Sequence, residues 1–295
     1  MVGATGTIGQ ATLAELLARG HEVVCFGRKQ GDVTDAASIE GDGFCGQEFD
    51  AVISCMASRT GRPRDAWAID HHAHSLVLQA AKNHGVKHFV LLSALCVQKP
   101  TLAFQHAKLA FEAELIASGL RYSIVRPTAY FKSLSGQIER IKKGKAFLLF
   151  GDGCLTSCKP ISNQDLARYL ANCLDDPKLH NAILPIGGPG PAQTPRAQGE
   201  ALFQLLGKPA KFRQVPVALL DGIIFVLSAL GFSDKAELAR IGRYYATESM
   251  LVWNPATNNY DAELTPSFGK DTLKDFHAKV IAGQATVNLG EHGVF

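Results

Sequence analysis

The sequence predicts an α/β protein built on a doubly wound parallel sheet, and three observations predict it. Short apolar runs of strand length alternate with longer stretches of helical period. A glycine-rich loop, Gly3-Ala4-Thr5-Gly6-Thr7-Ile8-Gly9, separates the first run from the first helical stretch. Glycine or proline stands where the periods change, as at Gly20, Gly85 and Pro127.

Taken in order, Met1 to Gly3 reads as the tail of a first strand. Ile8 to Arg19 reads as a helix with Leu13, Leu16 and Leu17 on one face and Gly20 as its stop. Val23 to Phe26 and Ala51 to Cys55 read as strands, short and apolar as buried parallel strands are. A long helix is expected from Trp67 to Asn83, a strand from His88 to Ser93, a helix from Leu102 to Ala117, and a strand from Arg121 to Arg126 closed by Pro127. Beyond that point the rhythm loosens, with turns at Gly151-Asp152-Gly153 and along Pro185 to Pro191. The expected division is a cofactor core over 1–130 and a smaller substrate-side region over 131–295, interleaved with the core.

One stretch breaks the rhythm. Only the four residues Gly27 to Gln30 separate the second strand from Gly31-Asp32-Val33, whereas a parallel crossover needs about a dozen. Asp32-Val33-Thr34 therefore cannot return as a third parallel strand by a helical route.

The 295 residues are 46% hydrophobic and 19% charged, which suffices for a sizeable core. A formal net charge of +3 with dispersed basic residues gives no footprint for nucleic acid. Seven cysteines without a secretory leader fit free thiols in a reducing compartment. Cys154 and Cys158 have no second ligand pair, so no metal site is expected. The most apolar stretch, Val215 to Phe232, carries Pro216 and Asp221. It reads as a buried or surface-docking helix rather than a span, which leaves peripheral membrane contact open. The expected location is the cytoplasm of a bacterium, or a plastid if the source is a plant or alga.

The glycine loop follows a strand end and opens a helix. In that context its glycines let the backbone approach a pyrophosphate, which then meets the helix amides and the positive end of the helix dipole. Gly3, Thr5, Gly6, Thr7, Ile8 and Gly9 are accordingly the candidate cradle of a dinucleotide on a Rossmann-type sheet. The second strand runs out into Gly27-Arg28-Lys29, where an NAD enzyme would carry an acid for the ribose hydroxyls. A guanidinium at Arg28 suits a 2′-phosphate, so NADPH is the expected cofactor. Asp32 and Val33 are candidates for the ribose or the adenine, and Ser54, Cys55, Ala57 and Pro127 for the nicotinamide end, beyond the carboxyl ends of the strands.

The loop spacing resembles that of the extended and atypical short-chain dehydrogenase/reductases, in which a serine ends the fifth strand and a Tyr-x-x-x-Lys pair follows on the next helix. Here Ser93 and Lys108 match, but Phe104 stands in the tyrosine position. Phenylalanine cannot protonate a carbonyl oxygen, so ketone reduction is disfavoured and reduction of a conjugated C=C bond fits better. Lys108 would chiefly hold the nicotinamide ribose, or act as an acid if burial lowered its pKa.

Longer strings go further. They include Ser54-Cys55-Met56-Ala57-Ser58-Arg59, His88 to Ala94 running on to Val97-Gln98-Lys99-Pro100, Val125 to Leu134, and Gly242 to Met250. Together they resemble the flavin-independent NADPH-dependent 8-vinyl reductases of chlorophyll and bacteriochlorophyll synthesis, from Gly3 almost to the C-terminus. The chain departs from that pattern in a short first strand and in the segment missing after the second. The resemblance implies hydride transfer to the 8-vinyl group of a divinyl chlorophyllide or protochlorophyllide, a broad flat tetrapyrrole. Lys108, Ser93 and Tyr130 are then the catalytic candidates; Arg59, Phe104, Tyr130 and Phe131 are those for substrate contact, with Lys132 available to a propionate. Two other readings stand beside it: a C=C reductase of the isoflavone-reductase-like kind, and a NADPH-sensing regulator or assembly factor without turnover.

Overall fold

Buried parallel strands must be apolar on both faces, and His88–Leu92, buried at every position, is the clearest case. In the computed structural model, which describes residues 1–287, it is the second of four hydrogen-bonded strands. These are β1 (Ala51–Ser54), β2 (His88–Leu92), β3 (Arg121–Pro127) and β4 (Ala182–Ile186), all parallel and neighbouring in that order. Val2 extends the sheet by parallel bridges to Ser54 on one side and to Phe26 on the other.

Three helices follow the expected order, α1 (Thr7–Ala18), α2 (His74–Asn83) and α3 (Ala103–Ala117), and a fourth, not among those expected, is α4 (Asn163–Asp175). Gly20 and Gly85, past the ends of α1 and α2, take positive φ values of 86° and 67°, as C-terminal stops do. Side chains alternate across the strands. Val52, Phe89, Leu91 and Ile124 join the core made with Val77, Leu78, Phe111 and Leu115 of α2 and α3. The alternate positions Ile53, Val90, Leu92 and Val125 are buried on the other face, where α4 meets β2 and β3 and α1 packs on α4. The doubly wound parallel sheet read from the sequence is the fold observed.

Two elements differ. The helix expected over Trp67 to Asn83 begins with a π-helical stretch, Trp67–Ala73, before α2. The expected second strand, Val23 to Phe26, makes one ladder bridge, at Phe26, because its neighbour supplies Val2 alone as a partner. After Phe26 the chain turns back on itself, with Gln30 N–H donating to Gly27 O at 2.8 Å. No strand among the described residues pairs beyond Phe26. Asp32 accepts from the Thr34 amide and hydroxyl in a tight turn, and Asp35 caps the helical stretch that follows.

The chain divides into two units. The first comprises Met1–Pro127 and Asn163–Ile186; the second comprises Thr128–Ser162 and Gly187–Phe295, whose end, 288–295, lies outside the described residues. In the second unit the strands Phe147–Phe150 and Phe212–Val215 pair in parallel, over a core of Ile138, Ile141, Phe147, Leu149, Leu202 and Phe203. A hairpin, Val252–Asn254 with Asn259–Asp261, and the helices α5 (Pro195–Leu205), α6 (Val217–Ala229), α7 (Ser233–Thr247) and α8 (Leu273–Ile281) complete it.

Three histidines are buried as neutral rings. His88 shares a hydrogen bond of 3.0 Å with Ser123, whose hydroxyl donates to Leu179 O. Burial pushes the pKa values of His74, His88 and His277 down to about 4 from 6.5. Unfolded, each ring takes up a proton below pH 6.5; folded, it does not until about pH 4. The contribution of these three rings should therefore be level above pH 6.5, and it should lower stability as pH drops from 6.5 towards 4, by up to about 1.4 kcal/mol per pH unit for each fully buried ring. Denaturant unfolding across that range checks this, and a flat profile would contradict it.

Candidate functional site

At the carboxyl ends of the strands three backbones meet without room for side chains. Gly3 has a φ of 77°, and a Cβ there would lie 2.5 Å from the Cys55 carbonyl carbon and the Met56 nitrogen. A Cβ on Gly9 would lie 2.1 Å from Gly3 O. Gly6, whose Cβ would meet nothing closer than 3.5 Å, is the N-cap of α1. It has no side chain to cover the helix amides, and the first turn carries no acid to compete with an anion. This cradle fits a pyrophosphate: the glycines hold the loop against the sheet, and the helix end supplies donors. Arg28 is exposed on the turn after Phe26, and Asp32 is exposed with its carboxyl held below the ordinary range by hydrogen bonds from Thr34. Val33 is a core residue packed with Phe26, Ile39 and Phe44.

Ser54, at the end of β1, is buried and hydrogen-bonded to His74 Nε2 at 2.8 Å. Because the other ring nitrogen bonds Ile69 O, the neutral ring donates from Nδ1 and accepts the Ser54 proton. The Cys55 thiol is pushed up to about 12 by burial, which disfavours its use as a proton donor. Ala57 and Arg59 follow on the exposed side.

Helix α3 organises the rest. Phe104, Lys108 and Glu112 are four residues apart and share one face. Phe104 is buried. Lys108 Nζ donates to Asp70 Oδ1 at 2.9 Å, and the Ser58 amide donates to the same oxygen at 3.2 Å. Asp70 lies in the π-helical stretch and is 1% exposed; its Oδ2 is buried with no hydrogen-bond partner. One turn on, Glu112 is buried, accepts from Ser93 Oγ, and is held by both Nε and Nη2 of Arg126 on β3. Ser93 thus gives its proton to a carboxylate and has only lone pairs left to offer a ligand.

Sequence reasoning found Ser93, Phe104 and Lys108 but missed Asp70, His74, Glu112 and Arg126. The available signal was spacing: an acid four residues after Lys108 on its buried face, and a single acid within an apolar helical stretch.

In the second unit Tyr130 is half-buried, with its backbone bridged to Ile161. Phe131 is buried with its ring 5.6 Å from that of Phe276, a core position. Lys159 Nζ donates to Thr265 O at 2.9 Å. Pro127 is the last residue of β3.

The cradle yields a direct test. Gly9→Ala should weaken nicotinamide-cofactor binding by at least about tenfold and lower the melting temperature, because the added methyl displaces the Gly3 carbonyl. Gly6→Ala should leave the melting temperature nearly unchanged. Fluorescence titration of reduced cofactor and thermal unfolding measure the two effects; equal melting temperatures for the two variants would contradict the geometry.

Comparison with known proteins gives the family. A family described as NAD(P)H-binding matches residues 3–177. The divinyl chlorophyllide a 8-vinyl-reductase of Oryza sativa subsp. indica, a chloroplastic protein, is 48% identical and covers 100% of this chain and 81% of its own length. The protein of that name from Cucumis sativus is 47% identical over 100% of this chain and 79% of its own. These matches run over 329 and 330 aligned positions against 295 residues here, so the relatives carry residues with no counterpart in this chain. Among solved structures, an NADPH-dependent quinone oxidoreductase from Escherichia coli superposes with a TM-score of 0.66 at 16% identity, covering 95% of this chain and 98% of that one. At that identity the likeness speaks for the fold alone. The full-length identity decides the family: this chain belongs to the divinyl chlorophyllide a 8-vinyl-reductases, within the NAD(P)H-binding fold.

Proposed function

We propose that this chain is an NADPH-dependent oxidoreductase that reduces the 8-vinyl group of a divinyl chlorophyllide to ethyl. The observation that carries this reading is 48% identity, over the whole chain, to a protein of that activity. NADPH, when bound, would supply the hydride, and a proton taken up from solvent would complete the ethyl group. The chain would supply position and charge: Gly3, Thr5, Gly6, Thr7, Ile8 and Gly9 for the pyrophosphate, with Arg28 for the 2′-phosphate. Asp32 and Val33 would border the adenosine half, and Ser54, Cys55, Ala57 and Pro127 the nicotinamide half.

Lys108 would grip the nicotinamide ribose, with its ammonium held in place by Asp70. An ion-paired ammonium in that position favours binding over proton donation. Ser93, committed to Glu112, would orient rather than protonate. Phe104 in place of a phenol leaves a site without an acid for an oxyanion, in keeping with hydride transfer to carbon. For the second unit, taken by itself, we propose Tyr130 as a residue that acts on the pigment; for the first, taken by itself, we propose Arg59 as a contact for a substrate carboxylate. Phe131, packed on Phe276, would support Tyr130 from the core. The chloroplastic relatives favour the plastid over a bacterial cytoplasm as the place of action.

Anaerobic incubation of the chain with NADPH and divinyl chlorophyllide tests the proposal. A product heavier by two hydrogens with a blue-shifted Soret band is expected. Unchanged pigment in the presence of bound NADPH would overturn the reading in favour of a sensor. Lys108→Met should lower kcat/KM by about a hundredfold. Arg28→Ala should raise KM for NADPH about tenfold while leaving turnover with NADH unchanged.

A further inference from the structure

Helix α6, Val217–Ala229, is apolar on nearly all sides, a composition that ordinarily belongs to a buried helix, yet it has one buried residue, Leu220. Phe225 is 74% exposed, Leu230 64%, Leu219 54% and Val226 52%; Ile223 and Phe232 are exposed as well. At about 100° per residue, Leu219, Ile223, Val226 and Leu230 fall on one line. Phe225, Ala218, Ala229 and Gly222 fill the surface beside that line, out to Asp221 and Ser228. About half the circumference is therefore free of polar side chains.

The polar segments next to this arc carry five cations, Lys211, Arg213, Lys235, Arg240 and Arg243, against three acids, Asp221, Asp234 and Glu237. Arg243 of α7 is paired with Asp221, the single charged residue of α6. Arg240 is paired with Glu237 at 3.1 Å and donates to Ser228 Oγ at 3.0 Å, and Lys235 sits 5.1 Å from the Phe232 ring. Lys211 and Arg213, both exposed, precede the helix. Such a face, with long cationic side chains along its margin, suits an apolar layer beneath anionic headgroups.

We infer that α6 docks this chain on the surface of an anionic lipid bilayer, lying in the headgroup region with Leu219, Phe225, Val226 and Leu230 turned into the acyl layer. A second copy of the chain is the weaker occupant. A helix–helix seam is a narrow stripe flanked by charges that fix the partner, whereas this arc is wide and its flanks are glycine, alanine and phenylalanine. No helix among the described residues is long and apolar enough to cross a membrane.

The test is flotation of the full chain with vesicles of phosphatidylcholine alone or of equal parts phosphatidylcholine and phosphatidylglycerol. The chain should float with the mixed vesicles, and less so as salt is raised. The double variant Phe225→Ser with Leu230→Ser should bind them at least about tenfold more weakly. Phe225→Trp gives an independent readout: vesicles of brominated lipid should quench its added fluorescence. Failure of the wild-type chain to float with either vesicle, or absence of that quenching, would overturn the proposal. So would light scattering that finds a dimer in solution, dissociated by the double variant and indifferent to vesicles.

Discussion

The first unit depends on an absence of side chains. The backbone of Gly3, the first turn of α1 at Gly9 and the end of β1 at Cys55-Met56 approach so closely that a Cβ at Gly3 or Gly9 would come within 2.5 Å of its neighbours. That contact sets where α1 begins, and hence where its amides point. It also sets how α1 lies on α4 and so on the sheet. A cradle that fits a pyrophosphate and the start of a packed helix thereby share one local constraint.

The polar interior is arranged from a second element, α3. Buried charges are costly to desolvate and persist where partners are complete. Glu112 meets that condition, held by the fork of Arg126 and the hydroxyl of Ser93. Asp70 meets it by half: one oxygen takes Lys108 and the Ser58 amide, and the other is buried without a partner. The incomplete carboxylate lies beside the lysine that matches the superfamily motif, in a π-helical stretch of the kind that recurs at functional sites. With Phe104 in the tyrosine position, this face carries no phenol, and its charged groups form the pairs Lys108–Asp70 and Arg126–Glu112.

Much of this was legible in the sequence. Periods and punctuation placed β1, β2, β3, α1 and α3 to within a residue or two, because buried parallel strands and amphipathic helices leave strong patterns. The four residues between Phe26 and Gly31 excluded a third parallel strand by a helical route, and among the described residues the sheet has none beyond Phe26. The second strand was legible as a pattern, but its pairing was not, since pairing depends on how many residues the neighbour supplies. Asp70 and Glu112 stayed hidden because a carboxylate on a helix reads as solvated until the tertiary partner, here Lys108 or Arg126, is known. Val33 and Phe131 read as ligand contacts from the motifs around them and pack as core residues in the folded chain. For α6 the sequence left both readings open, a buried or a surface-docking helix, and only the fold reveals which face is left uncovered.

The most direct measurement of the central claim is the fate of deuterium from NADPH labelled at C4 of the nicotinamide on the transferred face, followed by mass spectrometry of the pigment. The account predicts one deuterium in the new ethyl group of the product. An ethyl product without label, or label retained on the nucleotide while the vinyl group persists, would contradict it.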